Sequence, residues 1–160
     1  MRSEMQAAFA PVAAAAGGRP VPDSNLHLTL EFLGSVDEQR REDLVTAIAA
    51  VPVPAFSVEL DRIEYWPMMS ALVATPRTPP AELVTLQAAL RAALAARDFR
   101  VDVRPFRPHV TLAHAVAGRP ATSGVAQVGW HVNAIALVES FKFADGSRYR
   151  PLARWVKSNF

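Results

Sequence analysis

The stretch Asn25-Leu26-His27-Leu28-Thr29-Leu30 returns in shortened form 82 residues later as Pro108-His109-Val110-Thr111-Leu112. Both copies read His-x-Thr-Leu, and both sit in strand-like sequence. Side chains of a strand alternate between its two faces. His27 and Thr29 therefore share one face, and Leu26, Leu28 and Leu30 the other. The same parity joins His109 to Thr111 and Val110 to Leu112. Each copy offers an imidazole and a hydroxyl on one side and an apolar anchor on the other. Two such strands facing each other would form a small cleft holding two imidazoles and two hydroxyls.

That equipment suits proton transfer around a phosphate. Imidazole can both give and take a proton near neutral pH. Cleaving a phosphodiester needs one base to activate the nucleophile and one acid to protonate the leaving oxygen. Threonine hydroxyls facing the same way can hydrogen-bond the non-bridging oxygens. Arginine forks suit phosphate, and Arg104 and Arg107 flank the second copy. Each reads equally as a phosphate ligand or as a solvated loop cation. Parity sets Phe32 on the apolar face with the core. It sets His114 on the face opposite His109, outside the site. His131 has no partner pattern and reads as structural.

Bulk properties agree with one folded domain. The chain has 160 residues, 51 % hydrophobic and 20 % charged, with no cysteine. Thiolate chemistry and disulfides are thus excluded. No apolar run approaches the 18 or so residues of a spanning helix. Glu4, Gln6 and Pro11 interrupt what could otherwise resemble a secretory leader, so a cytoplasmic protein is expected. Charge is uneven: residues 1–99 carry eight Lys+Arg against twelve Asp+Glu, and residues 100–160 carry nine against three. A basic second half is compatible with an anionic ligand. No cofactor is expected. A zinc site is not expected either, because no Asp or Glu accompanies His27 and His109 in ligand spacing. There is no phosphate-binding glycine loop and no Gly-x-Ser-x-Gly elbow.

The periodicity predicts a helix over 3–16 ended by Gly17-Gly18, a strand over 25–33, and a helix over about 38–50 capped by Asp37. Strands follow at 55–65 and 70–75. A helix over 80–97 carries Leu83, Leu86, Leu90 and Leu94 on one face. Strands are then expected at 99–104, 109–114 and 131–143, with loop over 117–129. An Asp145-Gly146 turn leads to a return strand over 147–156. The expected class is α+β: a bilobal, pseudo-symmetric fold whose mainly antiparallel sheets line a central cleft, with helices outside and one motif from each half.

Paired His-x-Thr-x units mark the two-histidine phosphoesterase superfamily. Four segments narrow the likeness. They are Gly18-Arg19-Pro20-Val21-Pro22, Asn25 through Gly34, Arg104 through Leu112, and Arg148-Tyr149-Arg150-Pro151-Leu152 with Trp155. Together they resemble the bacterial RNA 2′,3′-cyclic phosphodiesterase family, also called the 2′-5′ RNA ligase family. The resemblance implies one two-histidine phosphoesterase domain over 1–160, built of two lobes. It implies metal-independent hydrolysis of an RNA terminal 2′,3′-cyclic phosphate to a 2′-phosphomonoester, with reversible 2′-5′ ligation in family members. His27 would be the proton donor to the leaving 3′ oxygen and His109 the proton acceptor that activates water. Thr29 and Thr111 would hold the phosphate. In relatives the aromatic at the Phe32 position is linked to the nucleobase, against the parity argument. The partners implied are RNA or oligonucleotide ends bearing the cyclic phosphate, with neither membrane nor metal; a monomer is the working expectation. Two departures stand out. Family members usually open with an apolar strand before a helix like 3–16, whereas this sequence starts at the helix, so either a late-assigned start or a lobe short of one strand is expected; and His114 stands where relatives often carry arginine. Two other readings stay open: a nucleotide- or RNA-end-binding module without turnover, and a phosphoesterase for another small cyclic phosphate.

Overall fold

A computed structural model describes residues 2–118, 127–143 and 146–157. The chain divides into two compact units. The first comprises residues 1–29, 57–79 and 108–130; the second comprises 30–56, 80–107 and 131–160.

The first unit is built on α1 (Arg2–Ala15), β1 (Arg19–Pro20), β3 (Arg62–Trp66), β4 (Ala71–Thr75) and β5 (Val110–His114). The four strands form an antiparallel sheet in the order β1-β5-β4-β3. One sheet face is apolar. Leu72, Ala74, Val110, Leu112 and Ala113 are buried there, and α1 brings Met5, Phe9, Val12 and Ala13 into the core. Helical spacing of these four residues makes one continuous apolar stripe. Pro11 lies inside α1 on its exposed side. Gly17 ends the helix at φ +67°, where a side chain would be strained. Gly18 allows the chain to pass close to β5: a Cβ there would meet the His114 carbonyl oxygen at 2.6 Å.

A separate pair joins β2 (Phe56–Leu60) to β6 (Val128–Val132). In β2 the alternation expected of Phe56, Val58 and Leu60 appears as three buried residues separated by two exposed ones.

The second unit holds α2 (Arg41–Ala49), α3 (Ala81–Ala95) and a long antiparallel hairpin of β7 (Ala134–Phe143) and β8 (Gly146–Val156). Leu83, Leu86, Leu90 and Leu94 of α3 are buried, as their spacing requires, and Gln87 joins them. Its buried amide donates to Glu31. Asp145 of the expected turn lies outside the described residues.

Several expectations need correction. The strand expected over 25–33 is a 3-10 turn at Asp23–Asn25 followed by a single antiparallel bridge, Leu28 to Val110. With the ladder limited to that bridge, the parity that sent Phe32 to the core does not extend to it, and Phe32 is 69 % exposed. The strand expected over 99–104 is absent. The amide of Asp102 is instead bonded to the Glu31 carboxylate at 2.7 Å, so a side chain replaces the ladder. Asp37 precedes a 3-10 turn at Glu38–Arg40 without a side-chain cap bond. Breaks at Asp61 and Asn133 divide two expected strands. Both His-x-Thr motifs belong to the first unit rather than one to each.

Glu31 is the polar centre of the second unit. Its side chain is 2 % exposed and pairs with Arg91 at 3.1 Å. It also accepts from Gln87 at 3.1 Å and from the Asp102 amide. Removing the carboxylate strands three donors, one of them charged. Glu31→Ala should therefore destabilise the protein by about 3 kcal/mol, measured by urea denaturation, with a smaller loss for Glu31→Gln.

Candidate active site

The bridge between Leu28 and Val110 sets the geometry of both motifs. Continuing its antiparallel register by one residue in each direction places His27 beside Thr111 and Thr29 beside His109. These four lie on the face opposite Leu28 and Val110. The result is a two-by-two array in which each histidine neighbours the other motif's threonine. Directly opposed residues of an antiparallel pair have Cβ atoms about 4.5–5.5 Å apart, and diagonal ones are about 7–8 Å apart. His27 and His109 are the diagonal pair. Val110 is fully buried, whereas His27, His109 and Thr111 are partly accessible and Thr29 is exposed.

His27 is oriented by its own turn. Its Nδ1 is bonded to the carbonyl oxygen of Asn25, at the end of the 3-10 turn. A carbonyl only accepts, so Nδ1 is the donor in this bond. His109 follows Pro108, which favours extended backbone at its neighbour Arg107, and enters β5 at Val110.

Further residues occupy the same sheet face without having been singled out by the motifs. Glu64 and Trp66 alternate along β3, and Thr75 lies in the neighbouring β4. The indole of Trp66 lies against the His109 ring, with centroids 4.5 Å apart. Strand parity within Arg62–Trp66 was the available signal.

His114 also requires correction. Val73 pairs with Thr111 but Leu72 with Ala113, so β5 bulges at Leu112. One extra residue reverses the alternation beyond it. His114 thus comes to the face of Thr111, paired in register with Arg19 of β1.

The remaining candidates fall in the second unit. Arg104 is paired with Asp102 and its side chain is 82 % exposed. The guanidinium holds the Asp102 carboxyl well below the usual carboxylate range. Arg107 and Phe32 are both exposed. His131 is exposed in β6. Among the described residues no three His, Cys, Asp or Glu side chains cluster as metal ligands, and no helix is long and apolar enough to cross a membrane.

Comparison with known proteins matches residues 2–142 to the 2′-5′ RNA ligase superfamily. The chain belongs to that superfamily. Among superfamily relatives, an RNA 2′,3′-cyclic phosphodiesterase of Escherichia coli is 36 % identical over 142 residues. The match covers 87 % of this chain and 80 % of the relative. A Thermus thermophilus protein of the same name is 30 % identical, covering 87 % and 75 %. The fold agrees with solved structures of the superfamily. Apo E. coli LigT superimposes with a TM-score of 0.87 at 29 % identity, over 99 % of this chain and 91 % of LigT. LigT complexed with 3′-AMP gives 0.84, over 98 % and 92 %. The α+β, mainly antiparallel class read from the sequence is the class of these structures.

Partial burial, and then the nearby Arg19 charge, lower the His114 pKa. The folded state therefore binds this proton less readily than the unfolded chain does. Stability rises with pH wherever the unfolded state holds more protons. The contribution is complete above the unfolded histidine value of about 6.5 and diminishes as pH falls through it towards the folded value. His114→Gln should flatten the fall in Tm between about pH 7 and 5.5 relative to the parent protein, read by thermal unfolding at several pH values.

Proposed function

We propose that this protein hydrolyses the terminal 2′,3′-cyclic phosphate of RNA to a 2′-phosphomonoester. The single domain over residues 1–160 would carry the activity. The observation that supports this reading most is the antiparallel array of His27, Thr111, Thr29 and His109 on one sheet face. Relatives named RNA 2′,3′-cyclic phosphodiesterase, and LigT crystals holding 3′-AMP and phosphate, support this substrate class.

The chemistry follows from the diagonal. His109 takes a proton from water as the water attacks phosphorus. His27 gives the proton on Nε2 to the departing 3′ oxygen, while its Nδ1 stays bonded to Asn25. The P–O3′ bond breaks as the new P–O bond forms, and the phosphate stays on the 2′ oxygen. Charge grows on the non-bridging oxygens as the phosphorus becomes five-coordinate. The Thr29 and Thr111 hydroxyls donate to them, each from beside the opposite histidine. His27 and His109 end with exchanged protonation states, and solvent restores them. Two imidazoles supply acid and base without a metal ion. Arg104, Arg107 and Phe32 are proposed for the remainder of the RNA end, the arginines through phosphate and Phe32 through a base.

An oligonucleotide ending in a 2′,3′-cyclic phosphate, followed by ³¹P NMR, tests the proposal. The expected product is the 2′-phosphomonoester alone, formed equally well with a chelator present. His27→Ala and His109→Ala should each lower turnover by at least about a hundredfold. Full turnover in either variant refutes the assignment. Binding without product would favour an RNA-end-binding module.

A further inference from the structure

The His109 ring packs against a side chain with no part in the proton transfers. Trp66 lies against the imidazole, ring planes tilted by 49° and centroids 4.5 Å apart. The indole is itself fixed, because its Nε1–H donates to Glu64 Oε2 at 2.9 Å. Glu64 Oε1 accepts from Thr75 Oγ1 at 3.3 Å and pairs with Arg62 at 3.5 Å. Sheet pairing brings these groups together. Glu64 pairs with Val73, which pairs with Thr111, and Ala74 pairs with Val110. The next step of that register sets Thr75 beside His109. The imidazole thus has Thr29 beside it on one flank, Thr75 on the other and the indole against its ring.

We infer that Trp66, anchored through its indole N–H by Glu64, is a positioning residue that holds the His109 imidazole in the orientation from which it accepts the proton of the attacking water. This rests on the reading of His109 as base. An imidazole turns broadly about its outer side-chain torsion, and a base pointing away from the water contributes nothing to the rate. A ring in contact with it removes those orientations. The contact is directional because the carboxylate fixes the indole plane; an aliphatic filler of equal volume would not do so. Misplacing a reacting group by about 1 Å can cost about a hundredfold in rate, so a device confined to one ring acts on kcat and leaves KM unchanged.

The test combines steady-state kinetics on a 2′,3′-cyclic mononucleotide with NMR of the histidine rings. Trp66→Leu should lower kcat about tenfold with KM within about twofold. It should shift and broaden the His109 ring resonances and leave those of His27 in place. Trp66→Phe keeps a ring without its anchor and should lose only the several-fold in kcat that Glu64→Ala costs the parent protein. Glu64→Ala should lower kcat several-fold in the parent protein but not in the Trp66→Phe background, where there is no N–H for the carboxylate to hold. The inference fails if kcat survives Trp66→Leu, if Glu64→Ala costs the same factor in both backgrounds, or if the rate loss merely follows the folded fraction with His109 resonances unmoved. Should the parent protein itself fail to hydrolyse the substrate, the functional reading has failed. The NMR comparison still decides whether Trp66 orders the ring.

Discussion

One antiparallel contact, Leu28 against Val110, brings together two motifs 82 residues apart in the chain. Because the register sums to a fixed value, His27 can only fall beside Thr111, and Thr29 beside His109. A slip of one residue in the segment around Leu28 would turn His27 and Thr29 towards α1, while pairing with β4 holds His109 and Thr111 in place. The apolar half of each motif prevents that slip. Val110 and Leu112 are buried, as is Leu26 before the bridge, in the core that α1 closes with Phe9 and Met5. The aliphatic residues of His-x-Thr-Leu therefore set the register, and the histidines and threonines occupy the face that remains.

The same logic extends across the sheet. The face opposite the core brings polar groups to the array, with Thr75 on β4, Glu64 and Trp66 on β3, and Arg19 on β1, while the buried Ala71 and Val73 share it on β4. Thr75 is 6 % exposed, and its hydroxyl is satisfied by Glu64. A polar residue so covered is tolerated because it is bonded. The bulge at Leu112 adds His114 to this face. It keeps Leu112 and Ala113 both in the core, and it carries a titratable group to the array side.

The motifs, their polar and apolar faces, all three helices and most strands were legible in the sequence. Each depends on local periodicity or on a duplicated pattern. What was not legible depended on partners distant in the chain. Residues 25–33 have strand composition, but their only ladder contact is at Leu28, so the parity argument for Phe32 failed. Residues 99–104 look like a strand, yet Glu31 binds the Asp102 amide. His114 was misplaced because a bulge is a property of two strands together, here of Leu72 and Val73 against β5. Trp66 and Glu64 were within reach of strand parity. Nothing in β3 alone, however, indicated that its polar face meets His109.

In the proposed mechanism two imidazoles on one sheet face divide acid and base duties at a single phosphorus. The pH profile of kcat/KM for a 2′,3′-cyclic mononucleotide tests it most directly. The parent protein should give a bell. The residual activity of His109→Ala should lose the limb that rises with pH, and that of His27→Ala the limb that falls. If both variants keep the whole bell, or the parent profile is flat across the histidine range, the two rings do not act as the acid and base of this site.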